Sequence, residues 1–149
     1  MSGDYWQTAS LEAILKAQLK AHLRGKHPRV SLTGPRVDLS ADLAIPFSMA
    51  LHELSVNAVL HGALSVRTGG VSVAWDVFAA PHGRKLRLTW REHDGPLVRP
   101  PAHRGFGLVL LQEVLPKQCS AGVEIAFEPE GLQAAFEMPL IERRQVSFY

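Results

Sequence analysis

The chain has 149 residues, enough for one domain, and 46% of them are hydrophobic while 20% are charged. These proportions are typical of a folded globular domain and exclude a disordered chain. The 16 basic and 14 acidic residues leave a net charge of +2, which is too small to favour nucleic acid as a partner.

The first third of the chain predicts one helix followed by two short strands. Apolar residues recur at helical spacing between Ser10 and Leu23, and the Ser10 hydroxyl can cap the start of this helix. The segments Arg29 to Leu32 and Val37 to Leu39 are typical of short strands, and the turn Gly34-Pro35 lies between them.

A long and mostly apolar helix is predicted next. Ser40 or Asp42 can begin it, and Gly62, which directly follows His61, can end it. Pro46 has no backbone N–H group and is therefore acceptable only near the first turn.

The second half of the chain predicts two β-hairpins, separated by a loop rich in Pro, Gly and His and by a short helix. In chain order these are Val71 to Phe78 paired with Leu86 to Trp90, the loop His93 to Gly107, the helix Leu108 to Leu115, and Val123 to Phe127 paired with Leu132 to Met138. Because hairpins pair their strands in antiparallel fashion, we predict an α+β fold. It would be a two-layer sandwich in which helices cover one face of a mainly antiparallel sheet.

The sequence gives no sign of export or membrane insertion. The longest apolar stretch, Leu43 to Leu64, is interrupted by polar residues and falls short of the roughly 20 apolar residues that span a bilayer. Met1 to Trp6 lacks a basic region followed by an apolar core, so it does not resemble a signal peptide. We therefore expect a cytoplasmic chain with a single domain over residues 1–149, in which residues 141–149 form a C-terminal tail.

Three polar side chains interrupt the long apolar helix at intervals of four residues: Glu53, Asn57 and His61. At about 100° per residue they form a stripe about 80° wide on one side of the helix. A carboxylate and a carboxamide one turn apart offer oxygen ligands for a divalent cation and a base for a water molecule. The solvent-facing side of an ordinary amphipathic helix has the same pattern, so the stripe alone leaves both interpretations open.

The loop after the first hairpin has the composition of an anion-binding segment. Glu92 ends a strand, Asp94-Gly95-Pro96 follows, and Gly105-Phe106-Gly107 stands directly before a helix. Glycines at a helix N-terminus let backbone N–H groups approach an anion, and the helix dipole favours negative charge there. A single Gly-x-Gly is weak evidence by itself, and the chain has no P-loop motif.

Taken together, these segments resemble the HWE family of sensor histidine kinases. The run from His52 to Ser65 is similar to the N-box of that family, Trp90-Arg91-Glu92 to its Trp-x-Glu motif, and Gly105-Phe106-Gly107-Leu108 to its glycine box. The three residues that name the family match His52, Trp90 and Glu92. The resemblance extends from about Leu11 to Leu140.

The resemblance implies the Bergerat ATP-binding fold, which gyrase and a heat-shock chaperone share. In that fold about three helices cover a mixed sheet, and ATP lies between the N-box helix and a mobile lid, here Leu97 to Arg104. Asn57 would bind Mg²⁺, and Glu53 would orient or deprotonate a nucleophile or a metal-bound water. His52 would belong to the catalytic set with a less clear role, since helix packing also explains it. Glu92 would receive the adenine amino group.

The resemblance also implies a wider set of residues that contact the nucleotide, in which Gly105 and Gly107 line the phosphates. The set comprises Asn57, His61, Glu92, Asp94, Gly95, Arg104, Gly105, Phe106, Gly107 and Leu108.

The sequence departs from the family pattern at three places. Leu60-His61 replaces a Lys-Tyr or Lys-His pair, which removes a cation expected near the phosphates. Asp94 replaces the first glycine of Glu-x-Gly-Gly-Pro and adds a carboxylate near the nucleotide. Cys119 to Gly122 replaces a Leu-Gly-Gly run. These departures leave an alternative open: a degenerate kinase-like domain that no longer uses ATP and acts as a protein-docking module.

The histidine that receives phosphate in this family is not recognisable in the chain. His103-Arg104 falls in the lid, and His22 lacks the Arg and Asn that accompany the acceptor. We therefore expect that the isolated chain does not phosphorylate itself. Its γ-phosphoryl group would go to a histidine on a dimerisation and phosphoacceptor domain, in the same full-length chain or in trans, and a response regulator would act downstream.

Overall fold

A computed structural model describes residues 8–25, 27–98 and 110–140. Its helices and strands follow one another as β1 Thr8–Ser10, α1 Leu11–Leu19, β2 Val30–Thr33, β3 Asp38–Ser40, α2 Ala41–Leu60, β4 Gly70–Ala80, β5 Gly83–His93, α3 Leu115–Cys119, β6 Gly122–Glu128 and β7 Gly131–Pro139. The predicted tail, residues 141–149, and the predicted lid from residue 99 onward lie outside the described residues.

Five strands form one mixed sheet in the order β2-β4-β5-β7-β6. β2 pairs with β4 in parallel, whereas the other three pairings are antiparallel. Both predicted hairpins are present as β4-β5 and β6-β7, and each is longer than the sequence pattern indicated. The structure therefore confirms the predicted α+β class with a mainly antiparallel sheet.

The two short strands on either side of the Gly34-Pro35 turn do not pair with each other. β2 joins the edge of the main sheet, while β3 pairs with β1 in a separate two-stranded sheet. The sequence pattern did not predict β1, because a strand of three residues has too few positions for an alternation to be recognised.

One face of the main sheet carries the core, because alternate residues of each strand point toward the helices. The inward residues of β5 are Leu86, Leu88, Trp90 and Glu92, all of them buried. α2 packs across this face and contacts both α1 and α3. Phe47 of α2 meets Phe136 of β7 edge to face, with ring centroids 5.7 Å apart.

α1 begins as predicted, because the Ser10 hydroxyl accepts a hydrogen bond from the Ala13 N–H at 3.3 Å. α2 begins at Ala41, so Pro46 is its sixth residue and lies in the second turn rather than the first. The pyrrolidine ring is buried there, and it removes the hydrogen bond that residue 46 would otherwise donate to the Asp42 carbonyl.

The third helix differs most from its prediction, which placed it from Leu108 to Leu115. Residues Leu110–Val114 form a π-helical turn, and α3 continues from Leu115 to Cys119. Pro116 lies in the first turn of α3, where backbone N–H groups have no partner within the helix, so it does not interrupt the helix.

Of the described helices, α2 is long and apolar enough to cross a bilayer, judged by length and composition alone. The sequence pattern did not indicate this. Half of its most apolar stretch of 18 residues is buried inside the fold, as in the core helix of a globular domain.

Phe47→Ala should lower the free energy of unfolding by about 3–5 kcal/mol, because it empties a fully buried position at the centre of the helix-sheet contact. Phe78→Ala is the matched control, because the Phe78 side chain is 40% exposed on β4. It should change stability by less than about 1 kcal/mol. Urea titrations of both variants measure the difference, and equal losses would mean that Phe47 is not a core residue.

Candidate functional site

The candidate site lies where the C-terminal end of α2 meets the end of β5. The Asn57 carbonyl accepts hydrogen bonds from the N–H groups of His61 and Gly62, at 2.8 and 3.0 Å. The chain then leaves the helix and forms a short 3-10 turn, Ala63–Ser65. This turn brings the Ala63 N–H against the last inward side chain of β5.

That side chain is Glu92, a carboxylate that is only 6% exposed. Its Oε1 accepts a hydrogen bond from the Ala63 N–H at 2.9 Å, and its Oε2 accepts one from the Trp90 indole N–H at 3.1 Å. Trp90 and Glu92 lie two residues apart on one strand and therefore face the same side of the sheet. Trp90, which is fully buried, thus both packs in the core and holds the carboxylate.

Burial raises the pKa of Glu92, while the hydrogen bonds from Ala63 and Trp90 act in the opposite direction. An ionised carboxylate offers about four acceptor sites on its two oxygens. The two described hydrogen bonds use one site on each oxygen, so the group retains capacity to accept from a further donor. A buried acceptor of this kind suits recognition of an exocyclic amino group.

Two glycines fit tightly around this contact. A Cβ atom on Gly62 would lie 2.2 Å from Glu92 Oε1, and one on Gly95 would lie 2.5 Å from the Ala63 Cα. Both distances are shorter than any real Cβ contact, so a larger residue would displace the Glu92 carboxylate at position 62 and the Ala63 backbone at position 95. Close packing at this junction thus favours glycine both at the end of the N-box-like run, at Gly62, and after the Trp-x-Glu motif, at Gly95.

Asp94 replaces a glycine of the family pattern and adopts a glycine-like backbone, with φ of 57°. Its carboxylate lies 3.0 Å from His93 Nδ1, and its carbonyl accepts a hydrogen bond from the Thr68 hydroxyl. His93 Nε2 in turn lies 3.3 Å from the Ser72 hydroxyl. The carboxylate therefore has a described partner on the neighbouring residue.

The polar stripe on α2 remains on the accessible side of the helix. Glu53 is half-buried, whereas Asn57 and His61 are exposed. None of the hydrogen bonds described for the resolved ranges involves the side chains of these three residues.

His52 lies elsewhere on the helix, about 100° around the axis from Glu53. It is exposed, and its Nδ1 is 3.3 Å from the Gln18 side-chain oxygen on α1. The structure therefore places His52 beside the neighbouring helix, and its catalytic role stays a prediction.

The predicted phosphate-binding segment lies outside the described residues, so Arg104, Gly105, Phe106, Gly107 and Leu108 remain predictions. Only the beginning of the predicted lid is described. Leu97 is 80% exposed and does not anchor this segment in the core. The Val98 N–H donates to the Pro129 carbonyl at 3.2 Å, so the chain leaves β5 toward the turn between β6 and β7.

No group of three or more His, Cys, Asp or Glu side chains within the described ranges is arranged to hold a metal ion. A Mg²⁺ ion commonly takes only one or two protein ligands and completes its shell with substrate phosphates and water. The accessible Asn57 amide oxygen fits that kind of site.

The sequence pattern missed Arg29, which precedes β2. Its guanidinium donates hydrogen bonds to the carbonyls of Ala63, Val66 and Gly69 in the loop between α2 and β4. No sequence signal could have found it, because its partners are backbone groups 34 to 40 residues further along the chain.

Comparison with known proteins identifies the family, although no protein-family model matches the chain. Blue-light-activated histidine kinases of Brucella anthropi and Brucella ovis are 35% and 32% identical to it, over 127 and 129 residues. These alignments cover 85% and 87% of this chain but 26% of each relative. The chain thus spans about a quarter of the length of these curated relatives.

Solved structures show the same fold. The histidine kinase domain of the Erythrobacter litoralis blue-light activated histidine kinase superposes with a TM-score of 0.62 at 18% identity, covering 87% of this chain and 59% of that one. The catalytic domain of histidine kinase ThkA gives a TM-score of 0.61 at 14% identity, covering 90% and 96%. The fold is therefore that of a histidine kinase catalytic domain, and with its relatives the chain belongs to the histidine kinase family.

The buried Glu92 makes stability depend on pH in a defined direction. Because its pKa is raised above 4.5, the folded protein holds the proton more tightly than the unfolded chain does. Its contribution to stability is fully present below the unfolded-state pKa and is lost as the pH rises through the folded-state pKa.

Glu92→Gln removes this pH-dependent loss of stability, because a glutamine side chain does not titrate. It also gives up one hydrogen bond, because the amide nitrogen replaces one of the two oxygens that accept from N–H donors. The unfolding free energy of the variant minus that of the parent should therefore increase between about pH 4 and about pH 8. Urea titrations across this range measure the difference, and a constant difference would contradict a raised pKa.

Proposed function

We propose that this chain binds Mg-ATP and donates the γ-phosphoryl group to a histidine on a separate dimerisation and phosphoacceptor domain. It would act in the cytoplasm as the catalytic part of a two-component system, with a response regulator downstream. The observation that carries the proposal is the buried Glu92 carboxylate, which Ala63 and Trp90 hold in place with acceptor capacity to spare.

Each end of the proposed site has a chemical role. Glu92 accepts a hydrogen bond from the adenine amino group in a nearly dry position, where such bonds discriminate well against bases that lack the donor. Asn57 supplies an amide oxygen to Mg²⁺, and Glu53, one turn earlier, orients the incoming imidazole or a water molecule.

ATP supplies the phosphoryl group, and Mg²⁺ neutralises the charge of its phosphates. What this chain contributes is positioning and electrostatic complementarity, which dominate the catalysis of phosphoryl transfer. Backbone N–H groups of the glycine segment, residues 105–107, would complete the phosphate end.

A second candidate is a docking module without ATP. Two observations favour it: Leu60, where the family has a lysine, is an exposed apolar side chain, and Asp94 adds a carboxylate beside the same junction. Both changes lower the affinity expected for a triphosphate.

Calorimetric titration with ATP, with and without Mg²⁺, separates the two candidates. Saturable binding that Mg²⁺ strengthens supports the kinase domain, and no heat at millimolar ATP supports the docking module. If ATP binds, γ-labelled ATP is added with and without a phosphoacceptor domain from a related kinase. Acid-labile label should appear on that domain and not on this chain.

Asn57→Ala should abolish the effect of Mg²⁺ on ATP binding and leave the fold intact, because the side chain is exposed and alanine favours helix. The free energy of unfolding should change by no more than about 0.5 kcal/mol. Met49→Ala, at another exposed position of α2, is the control and should alter neither quantity. Unchanged Mg-ATP binding in Asn57→Ala would exclude Asn57 as the metal ligand.

Asp94→Gly should strengthen ATP binding about fivefold, because it removes a charge worth about 1 kcal/mol of repulsion at close range in water. It also relieves a positive φ, which glycine adopts without strain. Ser120→Gly is the matched control, because Ser120 has a φ of 52° at the end of α3. It should relieve the same kind of strain without changing ATP affinity, so a gain of affinity in both variants would assign the effect to the backbone.

A further inference from the structure

Arg29 is fixed to the site by its backbone as well as by its side chain. Its carbonyl accepts a hydrogen bond from the Val71 N–H at 2.9 Å, at the start of β4. Its Nε and Nη2 atoms each donate to the Gly69 carbonyl at 3.0 Å, and Nη2 also donates to the Ala63 carbonyl at 3.1 Å and to the Val66 carbonyl. One half-buried guanidinium therefore ties together the loop from residue 63 to residue 69.

The residues that Arg29 contacts have little conformational freedom in this loop. A Cβ atom on Gly69 would lie 1.9 Å from the Ala63 carbonyl oxygen, so the two ends of the loop touch. The guanidinium lies on the same carbonyls and satisfies polar backbone groups that the turn leaves without a helical or sheet partner. A planar, forked donor group suits this task because its N–H directions are fixed relative to one another.

Ala63 connects Arg29 to Glu92. Its carbonyl is held by the guanidinium, and its N–H holds Glu92 Oε1 at 2.9 Å. Among the described hydrogen bonds, none joins Arg29 to Glu92 directly. Any effect of Arg29 on the carboxylate therefore passes through the position of the Ala63 backbone.

We propose that Arg29 is a positioning residue for base recognition: it fixes Ala63 so that the Ala63 N–H holds the Glu92 carboxylate toward an adenine amino group. This inference rests on the proposed function, since it assumes that Glu92 reads the base. It assigns part of the adenine specificity to a residue outside the N-box and the Trp-x-Glu motif.

The first measurement uses the nucleotide-free protein. Arg29→Lys keeps the positive charge but loses the planar fork in which Nε and Nη2 both donate to the loop, and a single ammonium on a flexible stem holds the carbonyls less rigidly. Hydrogen exchange measured by NMR at the Ala63 amide and the Trp90 indole should become about tenfold faster, because local opening is easier. Arg67→Lys, at an exposed arginine of the same loop, is the matched control and should leave both rates unchanged. Arg29→Gln, which keeps one amide donor, replaces the lysine variant if that variant does not fold.

The second measurement compares ATP with purine riboside triphosphate, which lacks the amino group at C6. Arg29→Lys should weaken ATP binding about tenfold, which is about 1.4 kcal/mol, and weaken binding of the analogue by less than about twofold. A residue that only stabilises the fold would lower both affinities by the same factor, and that result would overturn the proposal.

The remaining outcomes separate this inference from the proposed function. If Ala63 exchange is unchanged in Arg29→Lys, Arg29 does not fix Ala63 and the inference fails even when ATP binds. If the parent protein binds neither triphosphate, the proposed function fails and the role in base recognition fails with it. In that case faster Ala63 exchange would still establish Arg29 as the residue that holds this loop.

Discussion

The hydrogen bond from the Ala63 N–H to the Glu92 carboxylate joins the helical layer of the domain to its sheet. It links the end of α2 to the end of β5 at a point where water is nearly excluded. A buried carboxylate without donors is strongly unfavourable, so the fold must bring a donor to each oxygen whenever Glu92 is ionised. Trp90 supplies the second donor, and Gly62 leaves the room in which the first can approach.

The register of the central hairpin decides whether this contact can form. Val71 lies opposite Glu92, and Gly70, which follows the loop held by Arg29, lies opposite His93. A shift of one residue in β5 would turn Glu92 to the open face of the sheet and bring Arg91 into the core. The run of buried inward residues on β5, from Leu86 to Trp90, makes such a shift costly, so core packing also sets the position of the carboxylate.

Periodicity was enough to predict most of the fold. The long apolar helix and the two hairpins follow from local alternation and from glycine and proline signals, and all three are present. The ends of elements were less predictable: Pro46 is buried in the second turn of α2, and the third helix ends four residues later than its apolar pattern indicated. The sequence motifs also drew attention to Trp90 and Glu92, which lie on one strand, but the contacts of Ala63 with Glu92 and with Arg29 join distant segments, which no local pattern encodes.

The glycines around Ala63 limit how this sequence can change over time. At Gly69 and Gly95 the atoms that a side chain would strike belong mainly to the Ala63 backbone. When a collision involves two side chains, a second substitution that shortens the partner can rescue the first, but no substitution shortens a backbone. We therefore expect a deep mutational scan to find both positions intolerant singly and without compensating partners. At Gly62 the nearest atom is a Glu92 side-chain oxygen, and there a paired change at the strand leaves a narrow route for divergence.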